Sequence, residues 1–214
     1  MYDPRVRASL VVSVFSLGIG ASLALASGHA LADEPSAADI ASARRIGFEG
    51  IQLAEKGNCA AAIDKLARAE ALRHAPTILG RLGECQIALG KLVVGTENLQ
   101  TVLREPLPPS APAAFRAARE RAQKVLDATL PKLAKVRIAV KTPPGVTPKV
   151  LFDGDRVSDS ALDLDRPADP GAHEVEVSAP GFVTVKRTLT LREGGSAVVA
   201  LIAGLLYVNT ISED

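Results

Sequence analysis

Two cysteines, three histidines and a run of aspartates are the residues of this 214-residue chain whose types could do chemistry. Cys59 and Cys85 are its only cysteines, an even pair lying within one short stretch, "KGNCAAAIDKLARAEALRHAPTILGRLGECQIALGK". In an oxidising compartment they would close a structural disulfide, provided that their Cα atoms come within about 7 Å. The alternative is a pair of small apolar residues in an alanine-rich core that never meet. A metal site would need more ligands than two thiolates and His74, the one imidazole nearby, can offer. A cysteine nucleophile would want a base held by an orienting partner.

The other chemistries lack their patterns. Asp153, Asp155, Asp159, Asp163, Asp165 and Asp169 crowd one stretch, yet the Asp-x-Asp-x-Asp-Gly loop with a closing Glu that defines a calcium site is missing, and turn residues are the ordinary reading. No Gly-x-Ser-x-Gly elbow occurs, and His173 falls at the start of an expected strand. There is no phosphate-cradling glycine loop followed by Lys-Ser/Thr. With no Trp, the chain lacks the usual stacking platform for sugars, and Phe152 and Phe182 are more useful to a β core. The expectation is a protein without catalytic residues, metal or cofactor, in which Cys59 and Cys85 form a disulfide.

Charge and targeting narrow the setting. Net charge is +1, and acidic and basic residues are interspersed in both halves, so the basic footprint of a nucleic-acid binder is absent. Arg5 and Arg7 precede the uncharged run "ASLVVSVFSLGIGASLALASGHALA", which closes on the small-x-small triplet Ala30-Leu31-Ala32. Residues 1–32 therefore read as an export signal cut after Ala32, although the run is also long enough to stay as a membrane anchor. Either way the remainder is expected outside the cytoplasm: periplasmic or secreted if the signal is cut, membrane-anchored if it is kept.

Residues 33–130 are rich in strong helix formers and show no sustained alternation, which predicts helices. The first is expected from Ala37 to Lys56, stopping at Gly57, with Asn58 as the N-cap of a second, "CAAAIDKLARAEALRH". Pro76 opens a third and Gly90 closes it; a fourth spans Leu92 to Arg104 before "EPLPPSAP". A fifth, "APAAFRAARERAQKVLDATL", is expected to start after Ser110 as N-cap and to cover the open end of the stack. Its charged side, with Arg116, Arg119, Glu120, Arg121 and Lys124, reads as a solvated face, or else as a dock for an acidic partner.

Gly50 and Gly57 recur as Gly83 and Gly90, both displaced by the same interval, which is near the period of stacked helix-turn-helix repeats. The pattern resembles the tetratricopeptide repeat. Gly50 and Gly83 fall at its first glycine, Gly57 and Gly90 at the turn glycine, and Ala62 and Gly95 at the small position of the second helix. Leu66 and Leu99 take its large apolar position and Ala69 its last alanine. The aromatic positions are filled instead by Ile46, Leu53 and Gln86, and Val102 stands at the second repeat's last alanine. The resemblance implies helical hairpins with a concave groove for a protein or peptide partner; an ordinary helical bundle is the competing arrangement.

At Pro131 the texture changes to period-2 alternation in "KVRIAV", "HEVEV", "FVTVKRTLTL" and "SAVVALI", separated by Pro, Gly and Asp clusters, which predicts a separate antiparallel β domain over residues 131–203. The order of turn signals "FDGDR", "DPGAH", "APGF" and "TLTLREGG" resembles the PEGA family of small extracytoplasmic β-sandwiches, with Ala179-Pro180-Gly181-Phe182 at the name-giving motif and its acidic residue missing. The resemblance implies a structural or adhesive module and no activity. Beyond Gly204 the reading is a tail, 204–214, with Leu205, Leu206 and Tyr207 as alternative core or docking residues.

The whole is thus expected to be an α+β protein in two domains, a tetratricopeptide-like helical stack followed by a PEGA-like sandwich. Two functions follow. The helices form a non-catalytic interaction platform of the bacterial cell envelope, or the β domain binds cell-wall polysaccharide and the helices are a spacer.

Overall fold

Residues 36–202 are described by the computed structural model and form five helices followed by two sheets. The expected signal at 1–32, its cleavage residues Ala30 and Ala32, and the tail at 204–214 lie outside the described residues.

Helix α1, Ala37–Glu55, starts at a capping box in which the Ser36 hydroxyl accepts from the Asp39 N–H and the Asp39 carboxylate accepts from the Ser36 N–H. Helix α2, Cys59–Leu72, is capped by the Asn58 side chain, which accepts from the Ala61 N–H. Helix α3 is Pro76–Ala88, with proline at a first-turn position where its missing N–H costs nothing; α4 is Leu92–Arg104. The ends of α1 and α3 are closed alike. At Gly57 and Gly90 the chain turns through φ +74 and +80, a conformation that glycine adopts without penalty. The amide of Gly57 donates to Ala54 and that of Asn58 to Leu53; at the equivalent turn of the second hairpin, Gly90 donates to Ile87 and Lys91 to Gln86.

Helix α5, Ala113–Thr129, begins later than Ser110 and without a side-chain cap. The reason is Pro112, which disfavours helical backbone at Ala111, so the helix can start only after it. The charged side of α5 is solvated at Arg116, Glu120 and Lys124, as expected, but not throughout. Arg119 donates to the carbonyls of Leu103 and Glu105, closing the C-terminal end of α4, and Arg116 donates to the Ala111 carbonyl. Arg121 reaches Glu84 on α3 at 3.4 Å, the same carboxylate that pairs with Arg81 at 2.8 Å.

A short 3₁₀ turn, Leu130–Lys132, leads into the sheets. Strands β1 (Ala134–Lys141), β4 (Asp165–Ala168) and β7 (Ser196–Ile202) form one sheet in the order β4-β1-β7. The other sheet, β3-β2-β5-β6, contains β2 (Lys149–Phe152), β3 (Asp155–Val157), β5 (Gly171–Ser178) and β6 (Val185–Leu191). Alternate residues of both sheets, among them Val136, Ile138, Val150, Val175, Val177 and Leu201, meet in a single apolar cluster, the arrangement of a sandwich. One pairing differs from the expected antiparallel sandwich: β7 runs parallel to β1, from Lys135 opposite Ser196 to Lys141 opposite Ile202. The chain changes sheets between β6 and β7, so β7 arrives beside β1 from the far sheet rather than from a hairpin. The crossover is fixed at Gly194, whose amide donates to the Lys132 carbonyl.

The helices have a core of their own, drawn from Ala62 to Leu126, and the sandwich has another, drawn from Ala134 to Leu201, with no residue in common. No described helix is long and apolar enough to cross a membrane.

Candidate functional site

The residues singled out by spacing sit where the helices approach most closely. Ala62, Leu66, Ala69 and Leu99 are fully buried. A Cβ on Gly50 would come within 2.9 Å of Leu66, and one on Gly83 within 2.9 Å of Leu99 and 2.8 Å of the Gly95 carbonyl. The same glycine–leucine contact therefore occurs once within each hairpin, at the interval that separates the turn glycines. Gly57 and Gly90, by contrast, have open space where a Cβ would point and are used for their backbone conformation.

Cys59 opens α2 and Cys85 lies buried in α3, with their Cα atoms 4.9 Å apart and their sulfurs at the disulfide distance of 2.16 Å. Neither is a free thiol. The pair joins the second helix of one hairpin to the first helix of the next, the seam along which the hairpins meet. His74 is engaged elsewhere. Its Nδ1 faces the Glu70 carboxylate and its Nε2 lies 2.8 Å from Glu105. Partial burial opposes the charged ring, but the hydrogen bonds and negative charge of Glu70 and Glu105 outweigh it and hold the His74 pKa above its ordinary value. Among the described residues no group of three or more His, Cys, Asp or Glu is arranged to hold a metal.

The feature that spacing missed is a cleft of about 410 Å³ on the side of the stack formed by α1, α3 and α5. Its floor is apolar, with Ala43, Gly47 and Ile51 from α1, Ile78 from α3 and Phe115 from α5. Gly47 keeps the floor low, since a Cβ there would come within 2.9 Å of Ile78. Phe48 lies on the edge with 62% of its surface exposed. A large aromatic residue held in water on a helix, in a chain with only 3% aromatics, is the one sequence signal that pointed here: Phe48 lies off the buried stripe of Ala43, Gly47 and Gly50. Arg44, Arg73 and His74 complete the rim, and no carboxylate lines the cleft.

A second constellation joins the helices to the sandwich. The α4 N-cap residue, Lys91, makes no side-chain cap, and the Val93 N–H instead donates to the Asp169 carboxylate at 2.7 Å, across from the β4–β5 turn. The Asp169 carbonyl lies 2.7 Å from Nε2 of buried His173, whose Nδ1 lies 2.6 Å from the Asp153 carboxylate. The ring stacks on Phe152 with centroids 4.9 Å apart. Asp153 stands at φ +53 in the β2–β3 turn and also accepts from the Glu174 N–H. This set is positioned to build a joint: both ring nitrogens of His173 face protein oxygens and the histidine is enclosed. The remaining aspartates of the run are dispersed, Asp165 facing Arg137 at 2.8 Å and Asp159 facing Arg156 at 3.6 Å, both on the surface.

No protein-family model, curated protein or solved structure matches the chain.

Proposed function

We propose that this chain is an exported, non-catalytic interaction scaffold of the bacterial cell envelope, in which a tetratricopeptide-like helical stack holds a protein or peptide segment and a PEGA-like sandwich supports it. The observation that carries this reading is the cleft built by α1, α3 and α5, the first helix of each hairpin and the helix that closes the stack, with Phe48 exposed at its edge. Stacked hairpins present their first helices along one face, and that face is where such stacks hold extended partners. The recurrence of the glycine turn and of the glycine–leucine contact at one shared interval supports the repeat assignment. For the sandwich, support comes from the positive-φ turns at Gly154, Gly171 and Gly181, where the family likeness places its glycines. The disulfide-distance cysteines favour an oxidising compartment, and hence export.

The reading is tested by a photo-crosslinking residue placed at Phe48, and separately at Val183 on the sandwich, in the full chain expressed in an envelope-bearing host. Discrete protein adducts from position 48 and none from 183 are expected. Adducts from 183 alone, or retention of the protein on purified wall polymer, would transfer the binding role to the sandwich.

A further inference from the structure

We propose that the cleft takes an acidic peptide segment with apolar anchor side chains, for which Arg44 and Arg73 are the counter-charges; this rests on the interaction-scaffold reading and specifies its partner.

Two cations at the rim of the cleft are unpaired. Arg44 on α1 and Arg73 at the α2–α3 turn are exposed and have no ion-pair partner among the described residues. The nearby carboxylates are already committed: Glu70 and Glu105 to His74, and Glu49 to Arg45 at 3.1 Å and Lys65 at 2.8 Å. Elsewhere on the helices, Arg81, Arg104 and Arg121 each face a glutamate, while Arg68 and Lys124 face none but lie outside the cleft lining. The rim of the cleft is thus a place where cations are left without acids, and the missing charge is what a partner would bring. Unpaired guanidinium groups beside an apolar wall also favour a carboxylate geometrically, because their planar donor fork matches it.

The floor decides between a peptide and a neutral glycan. Ile51, Ile78 and Phe115 offer apolar surface, while the polar lining is cationic apart from the single Thr77 hydroxyl and holds no carboxylate acceptor, a poor match to a glycan whose many hydroxyl groups must both donate and accept. A cleft of about 410 Å³ accommodates a few apolar side chains rather than a folded surface. An amphipathic acidic segment meets both demands, burying anchors against Phe48 and Phe115 and placing carboxylates at Arg44 and Arg73.

Selection of a randomised phage-displayed peptide library against the full, oxidised chain tests this. The enriched pool is expected to gain Asp and Glu several-fold beside one or two large apolar residues. The best synthetic peptide is expected to lose at least tenfold in affinity on the double variant R44E/R73E, and to bind less tightly as salt is raised. F48A is expected to weaken it as well, with circular dichroism and a non-reducing gel verifying that each variant is folded and cross-linked. A selection on R44E/R73E that enriches Lys and Arg instead would support the charge assignment directly. A pool with apolar anchors but no acidic bias, lost on F48A, would overturn the acidic partner and leave the cleft reading intact. No enrichment, or a pool unaffected by F48A, would remove both. Displacement of the peptide by polygalacturonate at equal carboxylate concentration would overturn the peptide in favour of an acidic polymer.

Discussion

In the helical half the tightest contacts fall on residues with little or no side chain and recur at a fixed interval, whereas the sheets are filled by Val, Ile and Leu at every second position with few close backbone approaches. Gly50, Gly83 and Gly95 each leave less than 3 Å for a Cβ, against a side chain or a carbonyl. In the β half Gly145, Gly154, Gly171 and Gly181 have open space at that point and serve only to turn the chain. Helices that touch through glycine depend on single positions, because a methyl group at Gly83 or Gly95 meets the backbone of the facing helix at 2.8 Å and must push it away. A sandwich packed by alternation spreads the same burden over many residues. The cysteine pair belongs to the first kind of construction: it adds a covalent tie at the seam between hairpins, and the sandwich contains no cysteine.

The largest expected effect separates the halves by that tie. The disulfide closes a loop of about 27 residues, for which chain entropy gives about 3 kcal/mol of stabilisation. Urea unfolding of C59S/C85S, followed by far-ultraviolet circular dichroism, is expected to show that loss in the helical transition, while amide hydrogen exchange at Val150 and Val175 reports the sandwich. An unchanged helical midpoint would remove the seam as a source of stability.

What could be read in advance follows the same division. The helix ends were legible because Gly57, Asn58, Pro76 and Gly90 act locally, through their own φ preferences, missing donors or short side chains, and the structure places them at those ends. The alternating strands were legible for the same reason. Two features depended on partners distant in sequence and were not legible, and a third, the start of α5, was set by a local residue whose effect overrode the better cap. The parallel pairing of β7 with β1 is decided by which sheet the chain enters after Leu191, information that the β7 sequence does not contain. Ser110 has a good capping side chain, yet Pro112 two residues later sets the helix start. Arg119 has the composition of a surface residue and acts as a cap only because the end of α4 lies beside it. The cleft is of this kind too, being assembled from three helices whose individual faces look ordinary.

The second expected effect tests whether the repeat is a set of interchangeable contacts. Ala62 and Ala54 in the first hairpin correspond, by the shift that relates Gly50 to Gly83, to Gly95 and Ile87 in the second. A Cβ on Gly95 would come within 2.6 Å of Ile87 Cγ1, so the larger Ile87 is accommodated by the smaller Gly95. Gly95→Ala alone is expected to cost about 2 kcal/mol by overpacking. The double change G95A/I87A restores the pair found in the first hairpin, and thermal unfolding is expected to show it more stable than the sum of the two single changes by about 1 kcal/mol. Strict additivity would mean that the two hairpins are packed by unrelated rules and that their recurrence in sequence has no energetic content.

The smallest effect concerns the place where the two constructions meet. The first amides of α4 have no intrahelical partner, and Lys91 carries no oxygen with which to cap them. Asp169, extended from the β4–β5 turn and backed by His173 on its carbonyl, supplies both the acceptor and the negative charge that a helix N-terminus favours. The sandwich thus caps a helix of the helical half. Asp169→Ala is expected to lower the unfolding free energy of the helical transition by about 1 kcal/mol, the ordinary value of a lost cap, and Asp169→Asn by less, since the amide oxygen still accepts while the charge is gone. Asp165→Ala is the control: it removes an exposed pair with Arg137 on the same sheet, which solvent screens and which is expected to leave the unfolding transition essentially unchanged. Urea titrations of the three variants side by side distinguish the cases. If Asp169→Ala leaves the helical transition where Asp165→Ala leaves it, the contact at Val93 carries no stability and the halves are joined by the chain alone.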